Sequence, residues 1–291
     1  MSTQPMVIHP QRDEHVWVDI TPESAGWSYV GLRVVQLEPG ATHGFDLGDF
    51  EAILLPLRGR ATVSWSHAGE AADQGLEGRL DVFSGVTDFQ YLPPRTSTVI
   101  QAEQPVLLAI CAAEASTVQC PPPSYYPAAV AESSVRGAGS CSRQITNYAL
   151  NTRASTGRLL VCEAITPGGN WSSFPPHKHD AHTAEERALE ETYFFMFRAE
   201  QEQQGLAFQR GYGTPDRPLN LFTEIHHGDT VLVPHGYHGP TMAAPGYDLY
   251  GLNVMAGPAS DRQWLSTDDP AHHWIRATWA DQTPDPRLPF H

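Results

Sequence analysis

The chain is short of positive charge: 18 Lys and Arg stand against 33 Asp and Glu, a formal net charge of −15 over 291 residues. Nucleic acids and anionic membrane surfaces need a basic face, so the balance argues against both as partners. An anionic substrate would have to be captured by a local cluster of metal, Lys and Arg working against the global field. Cysteine is scarce too. Cys111, Cys120, Cys141 and Cys162 form no CxxC pair and no dense framework, so they read as thiols in a reducing compartment. Long apolar runs are missing: none approaches the roughly 20 residues of a membrane helix, and Met1 to Val7 lacks the apolar centre of a secretion signal. The expectation is a soluble cytoplasmic protein.

Glycine and proline, by contrast, are plentiful (24 and 25) and fall between short apolar runs. That pattern predicts an all-β fold of many strands joined by turns. Strand-like runs fill residues 15–115, among them Val16 to Ile20, Val30 to Leu37, Ala52 to Leu57 and Val99 to Cys111. The proline cluster Cys120-Pro121-Pro122-Pro123 then interrupts them, as a connector would. From Arg143 the strand pattern resumes, and after Pro258 a polar, Trp-rich tail follows. The expected division is 1–118, a linker over 119–140, and 141–291.

The two halves repeat one another weakly. Each has a strand ending in Pro-Gly, a histidine a few residues later, and an acid opening an apolar strand, Glu51 in the first and Glu191 in the second. The halves differ in their histidines: ten of the 14 lie after residue 176. The first half is therefore expected to be structural and the second to carry the chemistry.

That chemistry centres on Phe174-Pro175-Pro176-His177-Lys178-His179-Asp180. Alternate residues of a strand share a face, so His177 and His179 point one way and Lys178 the other. Gly228 to His238 supplies another strand, a tight turn and a third imidazole, His238, with His235 as a competitor across the turn. Three neutral nitrogens plus a carboxylate leave positions open on a divalent metal, the layout of a catalytic rather than a closed site. Glu190 and Glu191 are adjacent, so only one can face the histidines. Both faces of that strand are apolar; the larger aromatic set (Tyr193, Phe195, Phe197) favours the Glu191 face. The acidic run Glu185 to Glu190 reads as a solvated loop, and His226 and His227 as solvent-facing.

These residues resemble the cupin superfamily, whose motifs are Gly, His-x-His and Glu, then Gly-x5-Pro-x-Gly-x2-His. Eleven residues separate His179 from Glu191, where the general motif has three or four, and one separates Gly236 from His238, where it has two. With those departures the chain resembles the 5-deoxy-glucuronate isomerase family of bacterial myo-inositol breakdown. The resemblance is carried by Arg136 to Gln144, Trp171 to Asp180, Leu189 to Tyr193, Phe208-Gln209-Arg210, Gly228 to His238 and Gly246 to Gly257.

The resemblance implies a bicupin, two tandem double-stranded β-helix barrels, with the metal in the C-terminal one on His177, His179, Glu191 and His238. It implies an aldose–ketose isomerase of carbohydrate metabolism that converts 5-deoxy-D-glucuronate to 5-dehydro-2-deoxy-D-gluconate through an enediolate. Zn, Mn, Fe, Co and Ni all suit such ligands. Tyr193, Tyr237, Tyr250 and a non-ligating Glu190 are the candidates for moving the proton. Arg143 and Arg210 are the candidates for the carboxylate of the uronate, because Arg binds carboxylates bidentately. A cupin oxygenase and a non-catalytic sugar-binding cupin are the alternatives. Sheet edges and the tail tryptophans leave room for a homo-oligomer.

Overall fold

Short β-rich runs cut by Gly and Pro fold, as expected, almost entirely into strands. The computed structural model describes residues 6–12, 14–150, 152–198 and 205–290. Among these, no helix is long and apolar enough to cross a membrane.

In the first half a nine-stranded sheet has the spine Ser124–Tyr126, Phe89–Leu92, Phe50–His67, Val106–Glu114, Val30–Leu37 and Val16–Ile20. The 18-residue strand Phe50–His67 pairs early with Phe89–Leu92 and Val106–Glu114, and later with Glu70–Arg79 and Ser97–Ala102. One long strand thus carries the sheet around a bend and curls it over an apolar interior that includes Leu54, Val63 and Ile100.

In the second half a seven-stranded sheet runs Val7–Ile8, Thr230–Val233, Glu190–Arg198, Asp248–Ala256, Leu160–Thr166, Arg143–Asn147, Glu132–Arg136. A six-stranded sheet faces it, with the order Arg217–Ile225, Ala207–Thr214, Tyr237–Ala243, His177–Lys178 and Thr267–Asp268, and with Trp171–Ser172 beside Tyr237–Ala243. Tyr193, Phe195 and Phe197 fill the space between these two sheets with Val231 and Ala207. The alternate residues Phe194 and Met196 face the other way, into a core shared with Leu32, Ile53 and Leu107 of the first half. Period-2 alternation therefore serves two apolar interiors at once.

The halves exchange parts. Val7–Ile8, which leads the first half, pairs with Thr230–Val233 of the second; Ser124–Tyr126, which leads the second, pairs with Phe89–Leu92 of the first. The carboxylates cross over in the same way. Glu51 accepts hydrogen bonds from the backbone N–H groups of Gly157 (2.5 Å), Arg158 (2.6 Å) and Leu159 (2.8 Å), and from the Tyr91 hydroxyl (2.8 Å). Glu190 accepts from the N–H groups of Ser28 (2.7 Å), Tyr29 (2.7 Å) and Val30 (3.0 Å). Gly157 lets Glu51 approach: a Cβ there would meet Cys120 Sγ at 2.6 Å and the carboxylate at 3.1 Å.

This corrects the repeat read from the sequence, which matches Glu51 to Glu191. The hydrogen bonds match Glu51 to Glu190. Ala52, across from Ala112 with Gly31 beyond, then takes the place of Glu191, across from Met255 with Leu160 beyond. A buried alanine has no ligand atom to offer, so the first half has lost this carboxylate.

A third link is the buried pair Arg79–Glu163 (2.9 Å), with the Tyr148 hydroxyl 3.1 Å from the carboxylate. Arg79 comes from the first half and Glu163 from the second. Tyr250 lies against this pair, its hydroxyl 3.5 Å from the guanidinium.

Candidate metal centre

His177 lies directly across from His238 in the antiparallel pair of His177–Lys178 with Tyr237–Ala243. Directly opposed residues share a face, and the two rings sit 4.5 Å apart. His179, just past the strand, brings its ring to 4.7 Å from His238. Ligand atoms of the three imidazoles lie within 4.8 Å of one another, in buried positions. Glu191 reaches them from the facing sheet, its Oε2 2.9 Å from His179 Nε2 and 3.2 Å from His238 Nε2. Asn253 donates to the other oxygen, Oε1, at 2.6 Å and turns Oε2 toward the histidines.

The backbone decides which ring nitrogens face inward. His179 Nδ1 lies 3.2 Å from Leu189 O, and His238 Nδ1 lies 3.3 Å from Gly236 O. A carbonyl only accepts, so each Nδ1 carries a proton and each Nε2 is turned toward Glu191. Burial lowers the His179 pKa, but the Glu191 hydrogen bond outweighs it and raises the value, so without a metal that Nε2 donates to the carboxylate. Two Nε2 atoms and a carboxylate oxygen then converge in a buried space, and His238 Nε2 has no hydrogen-bond partner there. Unpaired buried acceptors are costly; a cation among them removes the cost. Burial, reinforced by His238 and His179, drives the His177 pKa well below its usual value, which keeps this ring neutral and fit to ligate.

Around the ligands runs a ring of charged hydrogen bonds. Lys178 faces away from the histidines, as strand parity requires, and its Nζ donates to Asp180 Oδ1 (2.8 Å) and to both oxygens of Glu186 (2.8 and 2.9 Å). Glu186 also accepts from the N–H groups of Asp180 and Ala181 and from the Thr267 hydroxyl. Asp180 Oδ2 accepts from Gly236 N at 2.8 Å, tying the segment that holds His179 to the turn that leads into His238. Gly236 takes φ +81° in that turn, and a Cβ would meet Tyr212 O at 2.6 Å. Lys178 is the sole lysine of the chain. Lys178→Met is expected to weaken divalent-metal affinity by ~10-fold or more, read by competition with a chromophoric chelator; an unchanged affinity would show that the ring does not position the ligands.

Several expectations change here. The run Glu185 to Glu190 is a loop leading into a strand, with Glu185 exposed as expected, but Glu186 is only 3% exposed, because Lys178 supplies a part-buried cation. His227 is 3% exposed rather than solvent-facing, and its Nδ1 accepts from Phe197 N. Of the three tyrosines, Tyr193 lines the cavity with His177 and Glu191, its ring 6.0 Å from His238. Tyr237 stacks on Tyr212 instead, at 5.5 Å, and Tyr250 lies in the core between the halves. Neither is among the lining residues. Glu190, turned to the first half by its three backbone partners, is not there either. Of the two arginines, Arg143 lines the cavity. Arg210 is exposed over the Tyr212 ring, because the parity of its strand sends Gln209 inward.

Sequence reasoning missed Arg136, Asn253 and Trp264, which also line the cavity. Asn253 had a signal, being a lone polar residue in the apolar run Leu249 to Met255. Trp264, from the tail, sits 5.8 Å from the His177 ring, and nothing local announces that return. The cavity is small, about 70 Å³. Larger hollows of about 620 and 390 Å³ open in the first half, but the histidine cluster lies in the second.

Curled all-β sheets with a buried histidine cluster define a cupin-like protein. The solved oxalate decarboxylase of Lactobacillus farciminis shares that fold, with a TM-score of 0.65 at 10% identity over 92% of this chain and 89% of its own. The sequence matches the KduI/IolB family over residues 6–275, and the chain belongs to that family. It is 39% identical over 274 residues to a 5-deoxy-glucuronate isomerase of Geobacillus thermodenitrificans, covering 92% of this chain and 93% of the relative. It is 35% identical over 260 residues to one from Listeria monocytogenes, covering 88% and 91%. An IolB-like protein of Salmonella typhimurium superimposes with a TM-score of 0.82 at 33% identity, covering 93% of this chain and 99% of its own.

Proposed function

We propose that the chain isomerises 5-deoxy-D-glucuronate to 5-dehydro-2-deoxy-D-gluconate in inositol catabolism, at a divalent ion held by His177, His179, Glu191 and His238. The observation that carries the metal is the clustering of three buried imidazoles around the Glu191 oxygen, with the Nδ1 atoms of His179 and His238 committed to backbone carbonyls and their Nε2 atoms turned toward Glu191. The relatives' shared name carries the substrate. The architecture behind the reading is a bicupin: a first barrel over about 1–118, a connector over 119–140 and a metal-bearing barrel over 141–291. Four free thiols suit the cytoplasm.

Interconversion of an aldose and a ketose removes a proton from the carbon next to the aldehyde and returns one to the neighbouring carbon. A divalent ion held by His177, His179, Glu191 and His238 would supply positive charge to stabilise the enediolate between those steps. Zn, Mn, Fe, Co and Ni all suit the donor set. The protein's own groups divide the remaining work. Tyr193 is held protonated, since burial and then the Glu191 charge push its pKa well above the usual value. It is placed to donate a hydrogen bond or a proton to a substrate oxygen. Arg143 receives the carboxylate. Trp264 covers the His177 side and excludes water.

The test is anaerobic incubation of the native-metal protein with 5-deoxy-D-glucuronate, following the C1 aldehyde proton by NMR. The expected result is loss of that signal, abolished by chelation and restored by added divalent metal. A fully metallated sample without turnover would overturn the assignment, and oxygen consumption would point to an oxygenase.

A further inference from the structure

Strand pairing sets two arginines side by side at the mouth of the site. Arg136 and Arg143 are directly opposed in the antiparallel pair of Glu132–Arg136 with Arg143–Asn147, so their side chains share a face. Both line the cavity that contains His177 and Glu191. Like charges in that position repel, and no carboxylate among the described residues pairs with either. Among the described residues Arg136 makes no ion pair. Arg143 has one hydrogen bond, from Nη1 to Cys141 O at 3.0 Å, and its Nε is buried without a partner. Burial, with Arg276 and Arg136 nearby, lowers the Arg143 pKa to about 10, which still leaves a cation at neutral pH.

The adjacent Arg276 is occupied, because Asp268 accepts from both its Nε and its Nη2. Trp279 of the tail steadies the group, its ring 5.7 Å from the Arg143 guanidinium and 5.3 Å from that of Arg276. A chain of net charge −15 thus holds two guanidinium groups, one exposed and one part-buried, with no carboxylate partner among the described residues at the edge of its candidate metal centre. Arg136 is exposed and open to water, whereas the buried Nε of Arg143 is not. An anion placed between the two would engage both, and a planar carboxylate matches the donor forks.

We infer that Arg136 and Arg143 together form the receptor for the substrate carboxylate, and that Arg136 makes the site selective for sugar acids over neutral sugars. This rests on the uronate reading above and extends it to the feature that sorts substrates. The metal end meets the carbonyl and hydroxyl oxygens common to all aldoses; the arginine end meets the group that only a uronate carries.

The experiment compares wild type, Arg136→Gln, Arg136→Lys and Arg143→Gln, each checked for metal content, on 5-deoxy-D-glucuronate and its C6 amide. Wild type is expected to prefer the acid in kcat/KM. In either glutamine variant that preference falls by ~10- to 100-fold, the worth of one or two charged hydrogen bonds. The fall appears in KM more than in kcat, and Arg136→Lys lies between. Acid and amide falling together in every variant would overturn the receptor and leave these arginines structural.

Calorimetric titration with D-glucuronate and D-glucuronamide gives a readout free of turnover. Binding of the acid weakened ~10-fold in both glutamine variants supports the receptor even where 5-deoxy-D-glucuronate is not isomerised. Equal binding of acid and amide by wild type overturns it. Failure of turnover alone condemns only the assigned reaction.

Discussion

Alanine at His238 is expected to abolish metal-dependent turnover while leaving the metal-free protein about as stable as its parent. The first effect follows from the ligand count. Removing one of three imidazoles leaves a bidentate nitrogen pair with Glu191, and affinity should fall by more than the ~10- to 100-fold typical of losing an outer partner. The second follows from burial. Without metal, His238 Nε2 is a buried acceptor 3.2 Å from a carboxylate oxygen and without a hydrogen-bond partner. Deleting it removes a desolvated polar atom, which offsets the cavity left by the ring.

Thermal unfolding with and without added divalent ion separates the two effects. A ligand at 1,000 times its dissociation constant stabilises the folded state by about 4 kcal/mol, so wild type should show a clear rise in Tm and His238→Ala none. An equal rise in both would place the bound ion elsewhere.

Glu51→Ala should give the largest loss of stability among single substitutions in the first half, although Glu51 touches no ligand. Its carboxylate is fully buried and gathers the N–H groups of Gly157, Arg158 and Leu159 with the Tyr91 hydroxyl. Alanine strands these donors in the interior, where the bonded carboxylate has no replacement. An unmet buried donor costs about 1–3 kcal/mol, and the stranded groups are not independent, so about 3–5 kcal/mol is expected in total. Glutamine retains one acceptor oxygen and should lose less. Chemical denaturation measures the difference. A loss below about 1 kcal/mol would mean that water or a backbone shift replaces the carboxylate. Metal affinity should change little in this variant, because the histidines and Glu191 all belong to the second half.

The parts of the site that lie close together along the chain are legible in its residues. His177 and His179 share a direction by strand parity, and the same parity turns Lys178 outward and Arg210 away from Gln209. The choice of Glu191 over Glu190 rests on which face carries Tyr193, Phe195 and Phe197, and those rings do fill the interior of the second half. The all-β class follows from apolar runs too short for helices, cut by Gly and Pro.

Tertiary structure alone decided what joins distant segments. Periodicity gives a residue's face but not what lies beyond it, so Tyr250 reads as a site residue in the sequence, whereas the paired sheets place it beside Arg79 and Glu163. Glu186 reads as solvated because its cation, Lys178, reaches it only after the chain turns back. The reciprocal Glu51 and Glu190 contacts, the exchanged strands Val7–Ile8 and Ser124–Tyr126, and the return of Trp264 over His177 join segments far apart in the chain. Their partners are backbone N–H groups and ring faces, which every residue or any aromatic can supply. Such contacts leave no pattern in a single sequence. Local chemistry wrote the candidate ligands into the chain, and the packing of one half on the other determined which polar groups face the cavity.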